Sequence, residues 1–189
     1  GGRAVAIAAD VASEDGAAHL VAAATAAHGT TGILVNNAGI ALQRDVFATT
    51  VDDFDTTFRV NVRSAFLMSQ AVIAGMRELK FGRLIFLSSN ASRTGGSMSA
   101  PYAGSKAAME AMMHHYAQRL GGFGITANAI APAIVDTEIF AGKALPATKD
   151  MPLGRMGRPE EVAMVARMLA ECGYMTGQTI FVNAGRYMT

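Results

Sequence analysis

The sequence has little of what would mark a secreted, membrane-spanning or nucleic-acid-binding chain. Its 189 residues contain one cysteine, Cys172, so no internal disulfide can form. No apolar run approaches the roughly 20 residues that cross a bilayer, which argues against a membrane partner. No signal-peptide pattern opens the chain. Lys and Arg are scattered and the formal charge is only +1, so there is no basic footprint for nucleic acid. Together these absences imply a reducing, cytoplasmic setting. A metal-ligand cluster is also missing: His114 and His115 are adjacent, point to different faces of a helix and have no companions. What is there is 51% hydrophobic residues, enough to bury one core, and a single domain over residues 1–189 is expected.

Strand-like and helix-like segments alternate along the chain, the signature of an α/β fold with a parallel sheet and helices on both faces. Residues 4–9, 32–35, 83–87, 125–130 and 179–182 read as strands. Residues 14–28, 50–68, 102–120 and 160–171 read as helices, with a further helical stretch to residue 79. Thr50 with Asp53 three residues on forms a variant capping box. Pro159 suits a helix entry.

Tyr102 and Lys106 lie four apart and share one helix face. A phenol titrates near pH ~10 in water, so it serves acid–base chemistry at neutral pH only if a neighbouring ammonium favours its ionised form. Ser89, thirteen positions before Tyr102, follows an apolar strand ending at Leu87, where open α/β sheets place their chemistry. Asn61 stands earlier, and Asn36-Asn37-Ala38-Gly39 follows the strand at 32–35. Ser88 competes with Ser89.

On these motifs the chain resembles the short-chain dehydrogenase/reductase family over essentially its whole length. It is most similar to the 3-oxoacyl-acyl-carrier-protein reductase subgroup, whose Gly-Arg-x-Gly and Thr-Gly-x-Thr surroundings recur at Gly154 to Gly157 and Thr176 to Thr179. The resemblance implies a Rossmann-like, doubly wound parallel sheet and interconversion of a ketone and a secondary alcohol with NAD or NADP. It implies a catalytic tetrad of Asn61, Ser89, Tyr102 and Lys106. Tyr102 would exchange the proton, its pKa lowered by Lys106 and by the positive charge of the oxidised nicotinamide. Lys106 would also bind the nicotinamide ribose, Ser89 would hold the substrate oxygen, and Asn61 would hold a relay water. Asp10 and Val11 would meet the adenine, Asn37, Ala38 and Gly39 the adenosine side, and Pro132, Val135 and Thr137 the nicotinamide. Residues 138–151 would form a substrate lid, with Ile139, Phe140, Leu145 and Met151 apolar and Lys143 and Lys149 basic. Of the subgroup's carrier-docking bases, Lys80 is kept and the other position is Phe123. Family members associate through helices like those at 50–79 and 102–120, so a homo-oligomer, a dimer or tetramer, is expected.

Dinucleotide-binding folds open with a strand, a glycine-rich turn and a helix that cradles the pyrophosphate. The glycine clusters here, Gly95-Gly96 and Gly121-Gly122-x-Gly124, have neither the spacing nor the flanks. The chain is therefore expected to begin at the family's third strand and to be N-terminally incomplete by two strand–helix units. The residues that choose between NADH and NADPH lie in those units. In the order 3-2-1-4-5-6, strand 4–9 would lack its neighbours and the strand at Ile33 would become an exposed apolar edge. Re-pairing of these strands, or poor folding, is expected. Two other readings stay open: a non-catalytic fragment acting through subunit association, and an epimerase or dehydratase of the same fold.

Overall fold

A computed structural model describes residues 2–137, 148 and 151–188. Four strands form one parallel sheet in the order β1 (Ile33–Asn36), β2 (Gly82–Leu87), β3 (Ile125–Pro132), β4 (Thr179–Val182). Parallel neighbours need crossovers, and helices supply them. In register, Ile33 pairs with Arg83, Gly82 with Ile125, and Ala129 with Thr179. β2 and β3 are almost wholly buried, as strands covered on both faces are, with Leu84–Leu87 of β2 apolar throughout and Asn128 of β3 satisfied by donating to the Met175 carbonyl at 2.8 Å.

Short polar signals start the helices. Ser13 caps α1 (Glu14–His28) by accepting from the Gly16 amide at 3.0 Å. The Thr50–Asp53 capping box opens α2 (Val51–Phe58), with each partner accepting the other's amide at 3.1 Å. One turn of π-helix, Arg59–Arg63, then joins α2 to α3 (Ser64–Leu79), so residues 51–79 make one continuous helical rod. A short helix α4 (Ala91–Thr94), unforeseen in the sequence, follows β2. Ser99 caps α5 (Ala100–Leu120), which puts Tyr102 on its first turn. Pro159 begins α6 (Pro159–Glu171), where Glu161 accepts from the Arg158 amide at 2.8 Å. Cys172 is the C-terminal cap of α6 and is half-buried.

The core lies in two layers. On one face Leu34, Leu84 and Phe86 pack with Met68, Val72 and Met76 of α3 and Met109, Met113 and Tyr116 of α5. On the other, Ile85 and Ile130 meet Leu169 of α6. α6 covers β2 to β4, while Ile33 and Val35 of β1 stay 46% and 44% exposed on that side. No helix among the described residues is long and apolar enough to cross a membrane.

One expected element is corrected. Residues 4–9 form no strand; their backbone finds no ladder partner and most of their side chains are exposed. An extended apolar run becomes a strand only when another strand satisfies its N–H and C=O groups. Nor do residues 4–9 re-pair with β1, which is left as the expected apolar edge. The expected lid at 138–151 lies outside the described residues except for Thr148 and Met151, of which Met151 is buried.

Candidate active site

A cleft of about 840 Å³ opens at the C-terminal ends of β1, β2 and β3. Ser89, Tyr102 and Lys106 line it together, and so do Asn37, Gly39, Pro132, Val135 and Thr137. Asn61 stands behind this wall, wholly buried. Ala38 is not in the lining, and Asp10 and Val11 lie apart from it. The Asp10 carboxylate accepts from the Ala12 amide at 3.0 Å and pairs with Arg59 at 3.4 Å. Val11 packs on the core beside α1 and α3.

The π turn sets the depth of Asn61. Inserting one extra residue into a helix re-aims the side chains it carries, and such turns are frequent at functional sites. The Asn61 side chain donates to the Ile40 carbonyl and to Ser105 Oγ, both at 3.0 Å, and accepts from the Ile40 amide at 2.8 Å. It therefore pins the loop after β1 to α5. Ser105 in turn donates to the Tyr102 carbonyl at 2.7 Å. Sequence reasoning missed Ser105 as a partner; a small polar residue beside Lys106 on a buried helix face was the available signal.

Gly39 is where that loop comes closest to the site. A Cβ at this position would stand 3.1 Å from Asn61 Oδ1 and 3.7 Å from Lys106 Nζ. The approach to Asn61 is tight, so a side chain here would require a shift of a few tenths of an ångström, whereas that to Lys106 is an ordinary contact.

The two serines after β2 separate cleanly. Ser88 is buried and donates to Glu110 Oε1 at 2.6 Å, with the Lys106 carbonyl at 3.3 Å. Ser89 accepts from the Ala91 amide at 3.2 Å and stands on the Tyr102 side of the cleft. Both serines border the cleft, but the Ser88 hydroxyl is committed to Glu110.

Lys106 is buried, its Nζ donating to the Leu87 carbonyl at 2.6 Å and lying 5.8 Å from the centre of the Tyr102 ring. Loss of water around the ammonium pulls its pKa down to about 8. The expected lowering of the Tyr102 pKa, by Lys106 together with the charge of an oxidised nicotinamide, is not what the protein groups alone produce. Burial raises the phenol above its usual value, and the Ser89 side chain only partly opposes the rise. The ammonium is turned to Leu87 rather than to the phenol oxygen.

His114 and His115 are exposed on α5, and the described residues contain no group of three or more His, Cys, Asp or Glu able to hold a metal ion.

A parallel sheet with Ser, Tyr and Lys gathered at its C-terminal edge defines a Rossmann-like dehydrogenase architecture. Comparison with known proteins agrees. A family profile described as enoyl-(acyl carrier protein) reductase matches residues 1–186. The 3-oxoacyl-[acyl-carrier-protein] reductase of Pseudomonas aeruginosa is 35% identical over 83% of this chain, which spans 66% of that protein's length. The corresponding reductase of Synechocystis is 34% identical over 100% of the chain and 78% of its own. Among solved structures, a gluconate 5-dehydrogenase from Burkholderia cenocepacia in complex with NADP and tartrate superposes with a TM-score of 0.87. It is 31% identical, over 94% of this chain and 72% of the other. The chain belongs to the short-chain dehydrogenase/reductase family, on its 3-oxoacyl-acyl-carrier-protein reductase side.

Proposed function

We propose that this chain is an NAD(P)-dependent oxidoreductase that interconverts a ketone and a secondary alcohol. The observation that carries the reading is the meeting of Ser89, Tyr102 and Lys106 in one cleft. A 3-oxoacyl thioester is one candidate substrate, in keeping with the relatives' names. A cytoplasmic, homo-oligomeric enzyme fits the sequence, and Val51, Phe54 and Phe66 on α2 and α3 supply an exposed apolar face for association.

The residues present fit a dinucleotide. The buried Lys106 ammonium has three donors; Leu87 takes one and Met109 Sδ, at 3.9 Å, weakly takes another, leaving one for a ribose hydroxyl. Gly39 leaves its backbone bare beside that ammonium. Lys106 and Gly39 would hold the coenzyme's ribose side, with Pro132, Val135 and Thr137 along the nicotinamide. A bound nicotinamide supplies or accepts the hydride. Ser89 holds the substrate oxygen through its hydroxyl, a fixed donor to the charge that develops there. Tyr102 delivers the phenolic proton to the same oxygen in reduction and receives it in oxidation. Its raised pKa keeps that proton in place at neutral pH. Asn61 fixes the loop and the helix that carry Gly39 and Tyr102. Ser105 is its intermediary.

The test is consumption of NADPH or NADH with a panel of ketones that includes an acetoacetyl thioester. Turnover that disappears in Tyr102→Phe supports the reading; turnover unchanged in that variant ends it. A second reading, association without catalysis, draws on one observation: the described residues hold no strand, glycine turn and helix in series for a pyrophosphate. It predicts no nucleotide binding by calorimetry, whereas the oxidoreductase reading requires it.

A further inference from the structure

We propose that Glu110 is a positioning residue that clamps the segment carrying Ser89 onto the helix carrying Tyr102. The inference rests, for its catalytic consequence, on the oxidoreductase reading.

Tyr102, Lys106 and Glu110 lie at successive fourth positions of α5, so they share one face along about 12 Å of helix. Glu110 is only 3% exposed, deep for a carboxylate that takes no part in proton transfer. Its Oε1 accepts from Ser88 Oγ and from Ser92 Oγ, each at 2.6 Å. Its Oε2 pairs with Arg93 at 2.9 Å. These three partners flank Ser89 on both sides in sequence. Hydroxyl donors this short on a carboxylate are the strong, charge-assisted kind. Every partner of the carboxylate belongs to one short segment, residues 88–93, and that segment otherwise hangs on few bonds. Its other ties are two backbone bonds to β3, from the Ser88 amide to Ile130 and from the Asn90 amide to Pro132 at 2.8 and 2.7 Å, and two long side-chain contacts, Asn183 to Asn90 Oδ1 at 3.4 Å and Ser88 Oγ to the Lys106 carbonyl at 3.3 Å.

Those ties hold the strand end, but not the turn that follows. The Ser92 amide donates to the Ser89 carbonyl at 3.0 Å, so holding Ser92 through its hydroxyl on Glu110 holds the peptide that carries the Ser89 side chain. Glu110 and Tyr102 are parts of one rigid helix. The distance between the Ser89 hydroxyl and the phenol is thereby set through the helix rather than through a mobile turn. Ser88, the competing serine, has its purpose here as an anchor.

Two measurements test the clamp. In the ligand-free chain, Glu110→Gln is expected to speed amide exchange of Ser92 to Gly95 about tenfold, with β2 and the centre of α5 unchanged. Unchanged exchange in α4 would overturn the clamp whether or not the chain is an enzyme. Arg93→Ala removes the solvent-facing partner and keeps the measurement available should Glu110→Gln fold poorly. In turnover, Glu110→Gln is expected to lower kcat by about 10- to 100-fold with coenzyme Kd unchanged. In a Ser89→Ala background the same substitution should cost less than about twofold, because it acts through Ser89. An equal loss in both backgrounds overturns the positioning role. A wild-type chain with no turnover instead defeats the oxidoreductase reading, while amide exchange still decides the clamp.

Discussion

The Lys106 ammonium donates a 2.6 Å hydrogen bond to the carbonyl of Leu87, the last residue of β2. A helix lysine is thus tied to the strand end from which Ser88 and Ser89 leave the sheet. The bond holds the charge inside the protein, where burial disfavours it and brings its pKa down from 10.5 to about 8. Stability is given up at a site held for chemistry.

That relationship sets a pH dependence of stability. The folded pKa is about 8 and the unfolded one near 10.5. Below pH 8 both states hold the proton, and the fold carries the full cost of the buried ammonium. Between these values the unfolded chain binds more protons, so stability rises with pH. Lys106→Met should remove that rise. The cost relieved near pH 7 is about 3 kcal/mol, and the Leu87 carbonyl left without its partner gives back about 1–2 kcal/mol. We expect a net gain of about 1–2 kcal/mol, a few degrees in Tm, together with loss of turnover. Thermal unfolding of both proteins from pH 7 to 10 measures it; a lower Tm for Lys106→Met at pH 7 refutes the burial cost.

In the proposed reaction Tyr102 and Ser89 would divide proton transfer from substrate positioning. Tyr102→Phe is expected to lower kcat about 10²- to 10⁴-fold, the range for a general acid or base. Ser89→Ala should cost about 10²- to 10³-fold, the range for one oxyanion donor. In the ligand-free chain the Tyr102 phenol should ionise above the free-phenol value of 10.0. The difference between wild type and Tyr102→Phe in an ultraviolet titration isolates it from the other tyrosines. Ionisation near neutrality without ligand would contradict the burial argument.

Much of this was legible because it is local. The Thr50–Asp53 box, Pro159 at the start of α6 and the Leu84–Leu87 run of β2 announce themselves through short polar signals and an apolar stretch. Ser89, Tyr102 and Lys106 were expected together from the family's spacing, and the fold brings all three to one cleft. Residues 4–9 were not legible, since a strand is a property of two segments and the second is not among those described. The π turn at Arg59–Arg63 was hidden for a similar reason: the helix code of that stretch is ordinary, and what the turn serves is Asn61 reaching Ile40 and Ser105 from another element. Glu110 reads as a routine helix carboxylate until the fold brings residues 88–93 against it.

Gly39 tests how tightly the loop after β1 must lie on the site. An alanine Cβ would press on Asn61 Oδ1 at 3.1 Å and approach Lys106 Nζ at 3.7 Å. Asn61 is wholly buried with both amide protons committed, so it has little room to yield. The loop must give instead, by a few tenths of an ångström. We expect Gly39→Ala to weaken coenzyme binding about tenfold, with stability changed by about 1 kcal/mol or less. Calorimetric titration with NADPH and NADH, alongside thermal unfolding, separates the two. Unaltered coenzyme affinity would remove Gly39 from the site.

The open side of β1 makes the last prediction. Ile33 and Val35 alternate with buried Leu34 and Asn36, so one face of this edge strand packs on α3 and the other meets solvent. Among the described residues β1 pairs only with β2, and its other edge has no ladder partner there. An apolar, unpaired edge is a template for another chain. The purified chain is therefore expected to self-associate with rising concentration. Ile33→Lys puts a charge on that edge at a half-exposed position, where it should change stability by about 0.5 kcal/mol or less. Val35 is the poorer choice because it also lines the cleft. The apolar face of α2 and α3 offers a second contact, and Phe54→Ser serves as the control for it. Light scattering across a concentration series should show the large species fall in Ile33→Lys and any defined dimer or tetramer fall in Phe54→Ser. Large species that persist in Ile33→Lys would mean that the β1 edge is not what joins the chains.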